Sequence, residues 1–321
     1  MFDPTSLAID ACLDHLRDNY VATYGQLEPD YPGIIAFAGR IALENFANSD
    51  ALYHDMHHTM MVAQAGQAIL KGKHLCEGGV SPHDWLHAIL ACLFHDIGYV
   101  RGLLRDDREG DYVTNESGGR VTLLPGASDA ALCDYHVDRG MCFVRERFAS
   151  HTSIDAEVVC ANIERTRFPV PGDDTSRITD DFPGLVRAAD FVGQLGDINH
   201  LRHLSALFVE FQEIGTAARL GYDNAAELRR DYPSFYWKTV QPYLEPTMRY
   251  LRVTQEGKGV VGPPLRQRLH RGAQGRVVGT GACVERILES IRSAIPSVSA
   301  PWYSQRSCRR SSPPRTTVSV R

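Results

Sequence analysis

The sequence predicts an all-α fold, on three observations. Apolar residues recur at three- and four-residue spacing through most of residues 1–257, the period of a helix with one buried face. Helix-start chemistry stands where such patterns begin: Ser81-Pro82 followed by Asp84 offers a hydroxyl cap, a proline in the first turn and an early acid. Strand signals are nearly missing, the best candidate being a short hairpin in residues 112–124.

In chain order, Leu7, Ile9, Cys12, Leu13 and Leu16 mark one helix, and Ile34, Ile35, Phe37, Ile41, Leu43 and Phe46 the next. Tyr53-His54-Asp55-Met56-His57-His58 opens another, which puts His54 and His58 four apart on one face. The helix begun at Ser81 runs through Trp85, Ile89, Leu90 and Leu93 and stops near Gly98. Residues 100–128 read as a long, charged, glycine-rich loop around the hairpin, which turns at Gly118-Gly119. A loop of that length is functional or disordered. Ser128-Asp129 opens a segment with Leu132, Val137, Met141, Val144 and Phe148, and further helical patterns cover 153–166, 183–197, 199–215, 223–230 and 234–253. These make one helical domain over residues 1–257. Residues 258–321 differ in kind: Arg, Ser, Pro and Gly dominate, with one amphipathic stretch from Val284 to Ile295. A basic tail, mostly without a packed core, is expected there.

A chain of 321 residues, 43% of them hydrophobic, can bury a sizeable core. Its formal net charge is −5, but residues 258–321 hold 12 basic and 2 acidic residues, which leaves the body strongly acidic. No positive field is there to recruit nucleic acid or an anionic membrane, and neither is an expected partner. Eight cysteines, none in a C-x-x-C pair, read as free thiols of a reducing compartment. With no basic-then-apolar leader and no apolar run near ~18 residues, the expected location is the cytoplasm.

Histidine and aspartate carry the chemical signal. His54 and His58 precede His95-Asp96, which follows the apolar run LACLF, and Asp190 stands within LVRAADFV. A carboxylate left unpaired in such surroundings is costly, so Asp96 and Asp190 need a cation or strong donors. Two imidazoles with two carboxylates suit Zn, Mn, Fe or Co better than Mg alone. His57, His74, His83 and His87 read as ordinary structural histidines.

The pattern Y-H-x-x-x-H-T-x-x-V-A, then L-x-H-D-I-G, then A-A-D on a later helix resembles the HD-domain metal-dependent phosphohydrolases. Within them it is most similar to the class I cyclic-nucleotide phosphodiesterase branch, over residues 45–255. Tyr53-His54-Asp55-x-x-His58 matches that branch's motif with Asp for Asn, and Leu132–His136 and Arg165-Thr166-Arg167 resemble two further segments. The resemblance implies one or two divalent metals (Zn, Mn, Fe or Mg), with His58, His95, Asp96 and Asp190 as ligands of the first. Asp96 would bridge to the second, a hydroxide between the metals would attack phosphorus, and His54 would protonate the leaving group. Two departures bear on the second metal: Tyr99 and Cys133 stand where the branch has His and Glu. His136 is then either a direct second ligand or a supporting residue, and Thr166 and Tyr99 are supporting candidates. Gln194, Gln212 and Arg101 are candidate substrate contacts, with Arg105, Arg120 and Arg167 as further cations for phosphate. The function so implied is hydrolysis of a small phosphoester, foremost a nucleotide phosphodiester. The alternatives are a nucleotide phosphomonoesterase or triphosphohydrolase, and a metal-binding regulatory protein with little turnover. In the family the helical domain continues past Thr254–Gly257. Here the composition changes at once, as a reading-frame change or a divergent end would produce.

Overall fold

Residues 82–94, PHDWLHAILACLF, are apolar on nearly every side after the first turn, and such a helix is stable only when surrounded. The computed structural model, which describes residues 2–260, places it so. This helix, α4 (Pro82–Phe94), is enclosed by α2 (Tyr31–Ala47), α3 (Met56–Glu77), α6 (Ala156–Glu164) and α7 (Phe182–Gly196), with α1 (Pro4–Tyr24) packed outside α2. Every residue from Trp85 to Phe94 is buried. The rest of the body is α5 (His136–Phe148), α8 (His200–Glu213), α9 (Thr216–Leu220), α10 (Ala225–Phe235), α11 (Gln241–Leu251) and α12 (Gln255–Val260). The all-α expectation holds. The strands among the described residues are β1 (Asp111–Val113) and β2 (Arg120–Thr122), an antiparallel pair in which Tyr112 faces Val121. Gly118 has φ +77° and supplies the turn expected of it.

The caps explain where helices begin. At α4 the Ser81 side chain and Asp84 complete the reciprocal capping box. At α3 the cap is Asp55, whose side chain accepts from the His58 N–H at 2.9 Å. The helix therefore starts at Met56, and His54 is not on its face as expected but in the turn before it. Asp and Asn cap equally well, so an Asp at this position starts the helix as an Asn would. Ser128 caps only a short turn, Asp129–Leu132, and α5 starts later at His136. The reason is that Asp129 turns back to bind Ser49 and Arg101. α8 fills the expected 199–215 pattern, and left-handed glycines at 215 and 221 bracket the short α9 that follows it. Downstream, a π-type turn over Tyr236–Val240 joins α10 to α11.

Close approach positions two helices near the core centre. A Cβ on Gly193 of α7 would lie 2.8 Å from the Val62 backbone of α3, and one on Gly98 would lie 1.9 Å from the His136 carbonyl. Only glycine lets α3 meet α7 there, or lets the start of α5 lie against the turn after α4.

The 100–128 loop is held by a charge inside the protein. Arg139 of α5 is fully buried; its guanidinium donates to the carbonyls of Gly98, Val100 and Val113 and makes a two-pronged pair with Asp107 at 3.0 and 3.1 Å. Arg139→Leu strands the buried Asp107 carboxylate and three carbonyls, so a loss of about 3–5 kcal/mol is expected in urea unfolding. Protease cleavage within 100–128 should appear in the same variant.

Helix α12 carries the chain three residues past the expected boundary at 257. The rest of the expected tail, with the stretch Val284–Ile295, lies outside the described residues. The six cysteines among the described residues are free thiols. No helix among those residues is long and apolar enough to cross a membrane.

Candidate metal centre

Because α4 ends at Phe94 in the middle of the core, the two residues after it, His95 and Asp96, emerge almost fully buried. α3 brings His58 to the same point from its first turn, and α7 brings Asp190, the most accessible of the four, from one side. The donor atoms of His58, His95 and Asp190 all lie within 4.8 Å of one another, and these three could hold a metal ion. His58 Nε2 is 3.3 Å from His95 Nε2, 3.3 Å from Asp190 Oδ1 and 3.3 Å from Asp96 Oδ2. His95 Nε2 is 3.1 Å from Asp96 Oδ2. Ligands at about 2.1 Å from one ion are separated by roughly 3–3.5 Å, so the donors fit a shared cation.

Hydrogen bonds behind the rings aim them. His95 Nδ1 lies 2.9 Å from the Cys92 carbonyl, which can only accept; the neutral ring therefore keeps its hydrogen on Nδ1 and presents a bare Nε2 to the cluster. His136 repeats the arrangement, with Nδ1 on the Cys133 carbonyl and Nε2 3.6 Å from Asp96 Oδ1. Asp96 thus offers one oxygen to His58 and His95 and the other to His136.

The two carboxylates draw positive charge onto the neighbouring rings. Burial opposes charging of His58, but its hydrogen bonds to Asp190 and Asp96 and their charges push it up to about 10. Burial also opposes charge on His95, but the charge and hydrogen bond of Asp96, with the charge of Asp190, together outweigh it and raise the ring; Asp96 is held far below the carboxylate range because His95 and His58 together outweigh burial. His136 goes down because burial dominates. In metal-free protein the carboxylates thus recruit protons that a divalent cation would replace. The His58 proton stabilises the fold fully below pH ~6.5 and is lost as pH rises toward 10. A chelator-treated sample should therefore lose thermal stability from pH 6.5 to 10, on the order of a few kcal/mol, and a metal-loaded sample should not follow it.

Next to the cluster is a second arrangement built on His54. Its Nδ1 is 2.7 Å from Glu210 Oε2, and Glu210 Oε1 accepts from the backbone N–H of Tyr53 at 2.6 Å and of His54 at 3.3 Å. Burial disfavours charge on His54, but Glu210 outweighs it and raises the ring. The Tyr99 ring lies between two imidazoles, stacked on His54 at 4.3 Å and on His136 at 4.5 Å. Its hydroxyl donates to Cys133 Sγ at 3.3 Å. Tyr99 and Cys133 therefore contact each other, and Tyr99 spaces the two histidines.

The sequence expectation missed Glu210. The signal was present: a glutamate inside the apolar run LFVEF carries the same burial cost that singled out Asp96 and Asp190.

Other candidates are occupied elsewhere. The Thr166 hydroxyl turns back to the Ile163 carbonyl at 2.7 Å. Gln194 borders the cluster, but its amide is used at both ends: Nε2 donates to the Tyr53 hydroxyl, and Oε1 accepts from Tyr232 at 2.8 Å. Gln212 is exposed near the end of α8. Arg101 is clamped by Asp129, Asp50 and the Ala127 carbonyl, as a strut of the loop. The Arg105 guanidinium donates to the Glu146 backbone carbonyl, while Arg120 pairs with Asp111 and Arg167 with Asp138 and Glu164. A surface groove runs between the hairpin and α5, past Arg120, Cys142 and Arg145, and includes none of the cluster.

Fold and site together define an all-α protein whose central helix delivers a His-Asp pair into a buried cluster that could hold a metal ion. The chain belongs to the Npun_R2479-like family, whose model matches residues 2–267. No curated protein and no solved structure matches it.

Proposed function

We propose that the protein is a metal-dependent phosphoester hydrolase, acting on a phosphodiester of a nucleotide, in the manner the HD-type motif implies. The observation that carries this reading is the convergence of His58, His95, Asp96 and Asp190 beside the His54–Glu210 pair. A divalent metal held by the four supplies a Lewis acid for the phosphoryl oxygens and lowers the pKa of water to about 7. Asp96 and His136 are the residues that would share a second ion, since Asp96 turns its other oxygen toward His136.

The remaining chemistry belongs to the chain itself. Glu210 fixes Nδ1 of His54 and favours the charged ring, so the Nε2 proton is available to a departing oxygen. Tyr99 and Tyr53 flank that ring and hold its plane. A pure metal-binding protein has no use for such a proton donor. A phosphodiester with a poor alkoxide leaving group does, and this favours diesters over activated anhydrides.

The test is a panel of cyclic nucleotides, mononucleotides and bis-(p-nitrophenyl) phosphate, each with the Mn²⁺-loaded full chain. Turnover of diesters that is lost in chelator and restored by Mn²⁺ is expected. Metal-loaded protein inert on every member would contradict the reading.

A further inference from the structure

A second group of donor atoms lies outside the cluster just described, and its parts come from α3, α8 and the residue just after α7. His57 is the second residue of α3, Asp197 directly follows α7, and His203 is in the first turn of α8. Their donor atoms lie within 4.8 Å of one another. His203 Nδ1 is 2.6 Å from Asp197 Oδ2, and His57 Nε2 is 3.3 Å from Asp197 Oδ1. The His57 contact has the distance but not the alignment of a hydrogen bond: Nε2 is closed off from solvent and has no hydrogen-bond partner. A nitrogen so placed next to a buried carboxylate has the spacing of two ligands on one ion, roughly 3.4 Å for a tetrahedral site. Asp197 is itself held in place, since Oδ1 accepts from the Asn199 N–H at 2.8 Å.

We infer that His57, Asp197 and His203 form a separate binding site for a divalent transition metal of the Zn²⁺ class, clipping the start of α3 to the α7–α8 turn. Two imidazoles and one carboxylate make a borderline donor set, which selects such ions over Ca²⁺ or Mg²⁺. On binding, the hydrogen of neutral His203 moves from Nδ1 to Nε2, and the ion takes the place it held toward Asp197. The imidazoles of His57 and His203 are partly exposed elsewhere on their rings. His57 directly precedes His58, so the clip also fixes the turn from which the central cluster draws one of its ligands.

The test uses the full chain, stripped with chelator, reloaded with Zn²⁺, freed of excess by gel filtration and assayed for metal per chain. His203→Ala and His57→Gln should each lose one equivalent relative to the unaltered chain, and Asp190→Asn should keep that equivalent. With Co²⁺ as the probe, the visible band of this site should vanish in His203→Ala and persist in Asp190→Asn. Should His203→Ala fail to fold, His57→Gln carries the same comparison at a partly exposed position. Zn²⁺ content unchanged in the folded variants would overturn the inference. Were the central cluster to hold no metal, Asp190→Asn would change nothing while His203→Ala still lost its equivalent, so the two claims fail separately.

Discussion

Asp190→Asn should lose both the metal of the central cluster and turnover, with activity on a phosphodiester down by about 10³-fold or more. The substitution keeps the shape of the side chain and removes one charge. Asp190 faces His58 at 3.3 Å and His95 at 3.7 Å, so its oxygen is a donor that the other three residues cannot replace. The variant should remain folded, because Asp190 is the least buried of the four and loses an ionic partner rather than a packed volume. His95→Ala should lose as much activity and more stability, since it also opens a hole at the end of α4. Gln212→Ala should leave metal and turnover unchanged, in keeping with its exposed position on α8. Metal analysis and kcat/KM on the same preparations check all three.

His54→Gln should retain the metal and lose about 10²–10⁴ in kcat on a diester with an alkoxide leaving group. On bis-(p-nitrophenyl) phosphate, whose leaving group needs little protonation, the loss should be far smaller. Equal losses on the two substrates would remove His54 from the role of proton donor. Glu210→Gln gives a finer reading. Glu210 raises His54 against the effect of burial, and a general acid works only while protonated. Removing that charge should shift the alkaline limb of the kcat profile to lower pH, with metal content unaffected.

Much of this architecture was legible because local chemistry and tertiary packing agree. The Ser81 capping box, the all-apolar α4 and the helical spacing of α1, α2 and α7 each point to one structure. His95 and Asp96 could be placed in the core from the apolar run before them. The failures have a common cause: they depend on partners distant in sequence. Whether 100–128 is ordered is decided by Arg139, which looks from the sequence like one more surface charge on an amphipathic helix. Arg101 looked available for phosphate until Asp50 and Asp129, 51 and 28 residues away, arrived on either side of it. The position of His54 turned on a single cap, since Asp55, the residue after it, starts the helix. His57 read as structural because its neighbours, Asp197 just after α7 and His203 on α8, lie far along the chain. The identity of a substrate was not legible either, as both glutamines proposed for it are tied up or on the surface.

The central claim is that His58, His95, Asp96 and Asp190 hold a metal ion. Anomalous diffraction from crystals of the full chain grown with Mn²⁺, with data collected on both sides of the metal's absorption edge, tests it most directly. The account predicts an anomalous peak among the four residues, about 2.0–2.3 Å from His58 Nε2, His95 Nε2 and the oxygens of Asp96 and Asp190. Mn²⁺-soaked crystals with these four side chains ordered and no anomalous peak among them would contradict it.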